Sequence, residues 1–268
     1  MTTTQEQHSF ERDGWAVFAF DQQIADWVAH ATPAALSAIH APENADWLRC
    51  GGTWFAGVNV LENDASGAII GSGALTGAVV DFLRTRNLPT DNWDKAQISV
   101  IYPGYPQPGA QEIEQAFNYR LNRDAAHVDG LLPTGPDRRR VIGEPHAFVL
   151  GLPLNRTSAD ASPMVIWKGS HNLMRAALID ALRGHPETDW PETDVTEAYH
   201  AARRHVFKTC ERVEIHAEPE QAYIIDRHTL HGVAPWGPNA IAPPEGRIIA
   251  YFCFECPGGI REWLKHRP

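Results

Sequence analysis

A series of short apolar segments, separated by Pro, Gly and polar residues, limits the folds open to this chain. It starts at residue 97 with an alternating segment that runs into Pro103 and Gly104, a pattern typical of a strand and a turn. Similar segments lie at 147–152, 163–167, 212–215, 222–226 and 247–254. Two stretches of helical periodicity, 172–183 and 194–207, interrupt the series. Strands that do not alternate regularly with helices favour a β-sandwich or barrel core over a parallel α/β fold.

The residues before this series favour helices. Residues 22–39 and 75–86 carry apolar positions at helical spacing, and Pro33 is expected to break the first of these helices. Residues 10–18 indicate a helix end, a Gly turn and a strand. The chain of 268 residues suits one domain. We expect a single domain over 1–268, mainly β with flanking helices (α+β). It divides into a helical part at about 1–95 and a β core at about 97–256, with a lid insertion at about 172–208.

Composition excludes several classes of partner. The net charge of -10 argues against nucleic acid or an anionic membrane as the main partner. No apolar run is long enough for a membrane helix, and the first residues lack an apolar signal segment, so a cytoplasmic location is expected. The chain has 4 Cys, too few for a disulfide scaffold, and Cys253 and Cys256 are expected to be reduced residues at a strand end.

The segment His127-Val128-Asp129, together with the distant His231, carries the strongest chemical signal. If 126–131 is a strand, His127 and Asp129 point to the same face and both reach one ion. Two imidazoles and a carboxylate form the facial triad that holds non-haem Fe(II) and leaves open positions. A His-x-Asp segment alone is weak, because the chain has 13 His and 33 acidic residues. The triad therefore depends on the joint pattern, and it closes only on folding.

Three other groups of residues qualify this prediction. Arg247 starts an apolar strand, where it is either a surface residue or a buried cation that receives an anionic co-substrate. His228 rivals His231 as the distal ligand on spacing alone, or supports the ligands from outside. The run at 138–140 is three Arg, either a solvated loop or an anion-binding rim.

These residues resemble the phytanoyl-CoA dioxygenase-like family of Fe(II)/2-oxoglutarate-dependent oxygenases, from about Phe10 to Phe254. The family's opening Asp-Gly-Trp motif is matched at 13–15, and its Pro-Gly-Ser-His motif at 168–171, with Lys168 in place of Pro. Its distal His-Gly is matched at 231–232, which favours His231 over His228. The spacer before Arg247 is longer than the family's and rich in Pro. Val233 stands where many relatives have Ser or Thr, so Gln97, Ser99 or Tyr102 is expected to compensate.

The resemblance implies a double-stranded β-helix core, jelly-roll or cupin-like, with Fe(II) at its open end. It implies His127, Asp129 and His231 as metal ligands and catalytic centre. It also implies 2-oxoglutarate as co-substrate held by Arg247, with O₂ as oxidant. Related halogenases lack the carboxylate, so Asp129 favours hydroxylation, desaturation or epoxidation over halogenation. The expected reaction is hydroxylation of a small polar or anionic metabolite, with release of succinate and CO₂. The alternatives are a zinc or iron hydrolase or isomerase on a cupin-like fold, and a non-catalytic binding protein. The sequence leaves the substrate and the oligomeric state open.

Overall fold

Two antiparallel β-sheets frame the computed structural model, which describes residues 4–265. The strands are β1 (Trp15–Phe18), β2 (Leu48–Arg49), β3 (Trp54–Gly57), β4 (Gln97–Ile101), β5 (Leu131–Thr134), β6 (Arg139–Ile142), β7 (Phe148–Pro153), β8 (Met164–Trp167), β9 (Arg212–Ile215), β10 (Ala222–Asp226), β11 (His231–Val233) and β12 (Arg247–Phe252). The helices are α1 (Thr4–Asp13), α2 (Gln22–His40), α3 (Ala78–Thr85), α4 (Glu114–Asn122), α5 (Ser170–Leu182), α6 (Thr196–Thr209) and α7 (Gly259–Leu264). Short 3₁₀ turns lie at Pro42–Trp47, Cys50–Gly52 and Glu187–Glu192.

The larger sheet has seven strands in the order β1-β10-β7-β12-β4-β3-β2, and the smaller has the order β11-β8-β9. Apolar side chains from both sheets form one cluster between them, so the sheets face each other across a shared interior. The members of this cluster are Val149, Met164, Ile166, Ile215, Tyr223, Ile225, Ile249 and Tyr251. Within residues 4–265 no hydrogen-bonded strand order closes the two sheets into a complete barrel. The mainly β core with flanking helices is as the sequence predicts.

Helix α2 covers the outer face of the larger sheet and corrects one expectation. The helix continues through Pro33 to His40, although Pro33 was expected to break it. A proline removes one helical hydrogen bond. The buried face of α2 packs into the main core both before Pro33, with Trp27, Val28 and Ala31, and after it, with Ala35. Burial of that face outweighs the missing bond, as tertiary packing commonly supplies most helix stability.

Two further expectations about local structure are wrong. The part at about 1–95 holds the expected helices and the expected strand β1, and it also contributes β2 and β3 to the larger sheet. Residues 126–131 are not one strand, since His127 forms an isolated bridge and Asp129 lies in a turn before β5. Arg139 and Arg140 belong to β6 rather than to a loop. The bridge to the distant His231 places His127, and the hairpin with β5 makes a strand of β6; the local residue pattern shows neither pairing.

The expected insertion forms α5 and α6, which pack against each other. The start of α6 is tied to β6, where Val195 donates its backbone N–H to the Arg140 carbonyl at 2.9 Å. Helix α6 therefore lies beside the hairpin that follows the His127–Asp129 segment. No helix in residues 4–265 combines the length and apolar character that crossing a bilayer requires.

Candidate metal centre

A pair of backbone hydrogen bonds brings His127 and His231 side by side. The His127 N–H donates to the His231 carbonyl at 2.8 Å, and the His231 N–H donates back at 3.0 Å. The two imidazole rings lie 4.6 Å apart between centroids. His231 is the first residue of β11 and pairs with Ile166 of β8, whereas His127 lies outside the strands. The bridge therefore joins the loop that holds His127 to the smaller sheet.

Each imidazole is oriented by a backbone carbonyl two residues before it. The Nδ1 of His127 lies 3.0 Å from the Ala125 oxygen, and that of His231 lies 2.9 Å from the Thr229 oxygen. A carbonyl only accepts hydrogen bonds, so the ring proton sits on Nδ1 in both residues. The Nε2 atoms are then the ones that can bind a cation. In His127, burial acts to lower the pKa, but the Asp129 carboxylate beside Nε2 outweighs it and raises the pKa. Such carbonyl contacts are the usual way in which ligating histidines are held.

Asp129 completes the set through its Oδ1. This atom lies 3.2 Å from the His127 Nε2 and 3.7 Å from the His231 Nε2, and the ligand atoms of the three residues all lie within 4.8 Å of one another. Burial acts to raise the pKa of Asp129, but the His231 and His127 imidazoles outweigh it and hold the pKa well below its usual range. Burial lowers the pKa of His231. An ionised carboxylate and a neutral imidazole are the forms that bind a metal.

The motifs near the N-terminus and after β8 brace the loop that carries His231. Ser170 accepts the Leu230 N–H at 2.9 Å, and Thr229 donates to the Gly14 carbonyl at 2.8 Å. Gly14 has φ +85, and a Cβ there would collide with the Thr229 and His171 side chains. The Asp-Gly-Trp and Gly-Ser-His motifs therefore position the distal ligand and stand outside the site itself.

Gly232 and an ion pair fix the other side of the same bridge. A Cβ at Gly232 would collide with the Asp124 carbonyl oxygen, so only glycine allows this approach. Asp124 is buried and receives two hydrogen bonds from Arg212 of β9, both 2.8 Å. This bidentate pair holds the segment just before His127 against the smaller sheet. Sequence reasoning missed Asp124 and Arg212 because nothing in the local pattern joins them.

Arg247 is a buried cation with no carboxylate partner among residues 4–265. Its side chain is buried in the interior between the sheets, and its Nη1 has no hydrogen-bond acceptor. Its guanidinium hydrogen-bonds the Tyr223 hydroxyl. Burial raises the pKa of Tyr223 well above its usual range, so this neighbour stays neutral and leaves the charge of Arg247 uncompensated. A buried charge of this kind requires an anion.

Two tyrosines link Arg247 to the cavity at the three converging residues. The Tyr223 hydroxyl donates to the Tyr251 hydroxyl at 2.8 Å, and Tyr251 lines the cavity. Arg247 itself is not among the lining residues. Every second residue of a strand lies on the same face, so residues 247, 249 and 251 of β12 all face the interior, with Arg247 farthest from the cavity. The structure thus brings His127, Asp129 and His231 together and places Arg247 deeper in the same interior.

The pairing of β4 with β12 distinguishes the three residues, Gln97, Ser99 and Tyr102, that are expected to replace the hydroxyl missing at Val233. On β4, Ser99 pairs with Ile249 and Gln97 pairs with Tyr251, so both point into the interior. Tyr102 packs against the main core on the other side of the sheet. Ser99 is buried and accepts the Trp54 indole N–H at 3.0 Å. Ser99 therefore lies nearest to Arg247 on the inner face of β4, Gln97 lies farther along that face at the cavity, and Tyr102 faces the other side.

The cavity in front of the three residues has a volume of about 1240 Å³ and is open on one side. Its lining comes from β4, α4, the β5–β6 hairpin, α6 and the end of β12. This size suits a small molecule rather than a macromolecule. Sequence reasoning missed two residues close to Asp129. The side chains of His146 and Cys253 lie with its carboxylate within 4.8 Å, and the His146 Nδ1 is buried without a partner.

His228 lies apart from the three converging residues. It is buried, and its ring packs on Trp263 at 4.3 Å between centroids. Burial and the nearby charges of Arg227 and Arg175 hold its pKa well below its usual range. The alternative in which His228 is the distal ligand therefore has no geometric support.

The neutral state of His228 predicts a pH dependence of stability. A His whose pKa is lowered by folding takes up its proton preferentially when unfolded, so acidification favours unfolding. The free energy of unfolding should fall as pH drops below 6.5, the ordinary pKa of His. In His228→Gln this part of the decrease should be absent. Chemical denaturation between neutral pH and about pH 5 measures it; parallel curves for the two proteins would contradict the prediction.

No protein-family model matches the chain, and no curated protein matches it. Several solved structures are similar. The non-heme alpha ketoglutarate dependent carbocyclase SnoK from nogalamycin biosynthesis is 11% identical, with a TM-score of 0.46 over 97% of this chain and 88% of that one. EctD from S. alaskensis, with 2-oxoglutarate and 5-hydroxyectoine, is 18% identical, with a TM-score of 0.47 over 99% and 82%.

The epimerase SnoN, in complex with Fe3+, alpha ketoglutarate and nogalamycin RO, is 16% identical, with a TM-score of 0.46 over 98% of this chain and 89% of that one. These solved structures are of the class that the sequence resemblance names, the non-haem iron enzymes that depend on 2-oxoglutarate. Similarity at this level carries no argument about function, which is therefore inferred from the residues of the site.

Proposed function

We propose that this protein is an Fe(II)- and 2-oxoglutarate-dependent dioxygenase that hydroxylates a small molecule and releases succinate and CO₂. The carrying observation is the convergence of His127, Asp129 and His231 at the mouth of a core that also holds Arg247, a buried cation with no carboxylate partner among residues 4–265 and no acceptor for its Nη1. The first group fits a cation with open positions, and the second fits an anion.

The residues fit Fe(II) in their chemistry. Two Nε2 atoms with fixed tautomers and one ionised carboxylate are the donor set of the 2-His-1-carboxylate facial triad. His127, Asp129 and His231 would hold the ion. Fe(II) with bound 2-oxoglutarate supplies the activation of O₂ and the oxidative decarboxylation that yields succinate.

The protein's own residues orient and enclose the reactants. Arg247 fits a terminal carboxylate of 2-oxoglutarate, because its planar fork accepts two oxygens at once. Ser99, on the same face, supplies a hydroxyl to that region. The apolar cluster between the sheets surrounds the guanidinium and keeps water from it, which strengthens the attraction to an anion. The substrate would enter through the open cavity, which His127 and Asp129 line.

The proposal is tested by following succinate release. The protein is loaded with Fe(II) without oxygen, then mixed with 2-oxoglutarate, ascorbate and air, and screened over small metabolites. We expect succinate that depends on both Fe(II) and 2-oxoglutarate and that rises with the true substrate. Absence of metal-dependent succinate from protein shown to contain bound Fe(II) would overturn the proposal. The free thiols, Cys50, Cys210, Cys253 and Cys256, suit the reducing cytoplasm that we propose as its location.

One observation favours zinc as a rival metal. Cys253 and His146 lie next to Asp129, and thiolate and imidazole are preferred zinc ligands. Burial raises the pKa of the Cys253 thiol well above its usual range, so the thiol is protonated until a metal displaces its proton. A zinc hydrolase or isomerase would use this second set, with no need for Arg247.

The Cys253→Ser variant separates the two metals. We expect it to keep Fe(II)-dependent succinate release, because the thiol is not in the proposed iron set. We expect the zinc concentration that halves this activity to rise by about 10-fold or more, since a soft ligand is lost. Inhibition is measured by titrating ZnSO₄ into the Fe(II)-loaded enzyme. Unchanged zinc sensitivity would show that Cys253 does not contact the metal.

A further inference from the structure

Four basic residues form one side of the cavity, and we call them the basic wall: Arg138, Arg140, His200 and Arg203. All four line the cavity in front of the three converging residues. The first two come from the β5–β6 hairpin that follows Asp129, and the last two lie one turn apart on α6. Two distant parts of the chain therefore contribute charge of the same sign to one surface.

The hairpin and the helix are fixed to each other at this wall. The Arg140 N–H donates to the Thr196 hydroxyl at 2.7 Å, and the Val195 N–H donates to the Arg140 carbonyl at 2.9 Å. Thr196 is the first residue of α6. Both sides of the wall are thus anchored at the backbone, so like charges are held close together instead of separating into solvent.

Arg203 lies against two aromatic rings. Its guanidinium carbon lies 4.5 Å from the Tyr119 ring centroid and 5.1 Å from that of Tyr199. Two ring contacts of this kind limit the positions open to the guanidinium. Its Nε is buried and has no hydrogen-bond acceptor in the structure. The side chain is therefore preorganised as an in-plane donor, the geometry that recognises carboxylate and phosphate.

Arg138, Arg140 and Arg203 have no acidic partner within ion-pair distance among residues 4–265. The other cations that line the cavity are neutralised, since Lys95 pairs with Glu62 and Arg120 pairs with Glu112. The Arg140 guanidinium makes only a long hydrogen bond of 3.4 Å within residues 4–265, to the Leu131 carbonyl. Nearby acidic residues thus balance part of the cavity and leave the basic wall with a net positive charge.

The charges of the wall act on one another. Burial lowers the pKa of His200, and the charges of Arg203 and Arg140 lower it further, against a smaller opposite effect of Glu197. Burial likewise lowers the pKa of Arg140, with Arg138 and Arg203 adding to the effect. Burial is the larger cause in both residues, and the mutual effect of the positive charges, which Tyr199 opposes at Arg140, is the part that a bound anion would relieve.

The wall is adjacent to the candidate metal centre. The Tyr119 hydroxyl, below Arg203, donates to the Ala126 carbonyl at 2.7 Å, next to His127. The Leu131 carbonyl that Arg140 contacts lies two residues after Asp129. A molecule of metabolite size can therefore reach the wall and the metal at once.

We propose that the basic wall, with Arg140 and Arg203 as its main donors, binds an oxyanion of the substrate and so turns a remote carbon toward the metal. The substrate class is a small molecule that carries a carboxylate, phosphate or sulfate group away from the reacting carbon. The identity of this ligand as the substrate rests on the proposed function, whereas the anion site itself does not. Arg140 and Arg203 are specificity-determining residues in this scheme.

The binding experiment uses matched probes on the full chain, with saturating 2-oxoglutarate, and with and without Fe(II) under anaerobic conditions. The probes are benzoate, phenyl phosphate and the neutral benzamide, each measured by titration calorimetry. We expect both anions to bind at least about 10-fold more tightly than benzamide, because an uncompensated guanidinium gains a charge-assisted bond. Arg140→Gln and Arg203→Gln should each lose most of that difference.

Matched variants make the result specific. Arg204→Gln removes an exposed charge from the same helix outside the cavity lining, and it should leave anion binding unchanged. Arg203→Lys keeps the charge but not the flat fork, and it should bind anions more weakly than the unmodified protein and better than Arg203→Gln. Thermal unfolding checks that each variant is folded. The proposal is overturned if benzamide binds as well as benzoate. It is also overturned if neither anion binds in the millimolar range, or if Arg204→Gln has the same effect as Arg203→Gln.

A second readout separates this proposal from the dioxygenase assignment. The succinate screen is run with pairs of compounds that differ only as acid and amide, or as phosphate ester and alcohol. Acids or phosphates that stimulate succinate release should lose this effect in Arg203→Gln. If anion binding depends on Arg203 but no compound yields succinate, the dioxygenase assignment fails and the anion site stands. If acids and amides stimulate succinate release equally, the dioxygenase assignment stands and the anion site fails.

Discussion

Replacing Asp129 with Ala should lower Fe(II)-dependent succinate release by more than about 100-fold. Loss of a group that only hydrogen-bonds to a metal ligand already costs up to about 100-fold, and loss of a ligand itself should cost more. Its Oδ1 faces both imidazole Nε2 atoms, at 3.2 Å and 3.7 Å, so its removal takes away one of the three donors directly. The loss should be accompanied by weaker Fe(II) binding, because two neutral imidazoles hold a divalent cation less well without the negative charge. Succinate assay and anaerobic metal titration measure the two effects.

The control for this variant is another carboxylate of the same cavity. Glu144 lines the cavity, is exposed and lies outside the converging set, so Glu144→Ala should keep its iron and its activity. Asp129→Glu retains the charge but moves the carboxylate by one methylene, and we expect a partial loss. If Asp129→Ala released succinate at the unmodified rate with iron bound, the three residues would not be the iron ligands.

Replacing Arg247 with Ala should raise the KM for 2-oxoglutarate by about 30-fold or more. Removal of one partner from a buried charge pair costs about 2 kcal/mol or more, which corresponds to that factor. The iron ligands are left intact, so kcat at saturating 2-oxoglutarate should change much less than KM. Steady-state kinetics with varied 2-oxoglutarate separate the two parameters.

Arg247→Lys is the matched variant, since it keeps the charge and loses the two-pronged contact. We expect its KM to fall between those of the unmodified enzyme and Arg247→Ala. Thermal unfolding is measured alongside, because an alanine leaves a gap beside Tyr223. An unchanged KM in both folded variants would mean that Arg247 serves only the hydrogen-bond chain to Tyr223 and Tyr251, and that the co-substrate binds elsewhere.

The elements that the sequence predicts correctly are those with strong local periodicity. Strands β4, β7, β8, β9 and β10 and helices α5 and α6 lie close to their predicted positions. Short strands without such a pattern were missed, as β3 shows: Trp54–Gly57 becomes a strand because it pairs with β4 across its full length. Pro33 shows the opposite case, since its local signal is overruled by the buried face of α2.

The candidate site divides in the same way. His127, Asp129, His231 and Arg247 were found from the sequence, because residue type and short motifs carry metal and anion chemistry. Their ligand roles stay predictions; the structure adds that three of them converge and that Arg247 lies deeper in the core. The structure also gives the choice between His231 and His228 a geometric reason, since only the former exchanges backbone hydrogen bonds with His127.

By itself, the sequence determined the chemistry available to this protein: two imidazoles, a carboxylate and a cation, set among short strands that form an antiparallel core. Only the tertiary structure decided which charges remain without a partner. Arg120 and Arg203 look alike in sequence, yet the first is neutralised by Glu112 and the second contacts the rings of Tyr119 and Tyr199, which belong to different helices. Neutralisation depends on distances of a few ångströms between residues far apart in the chain, and only folding sets those distances.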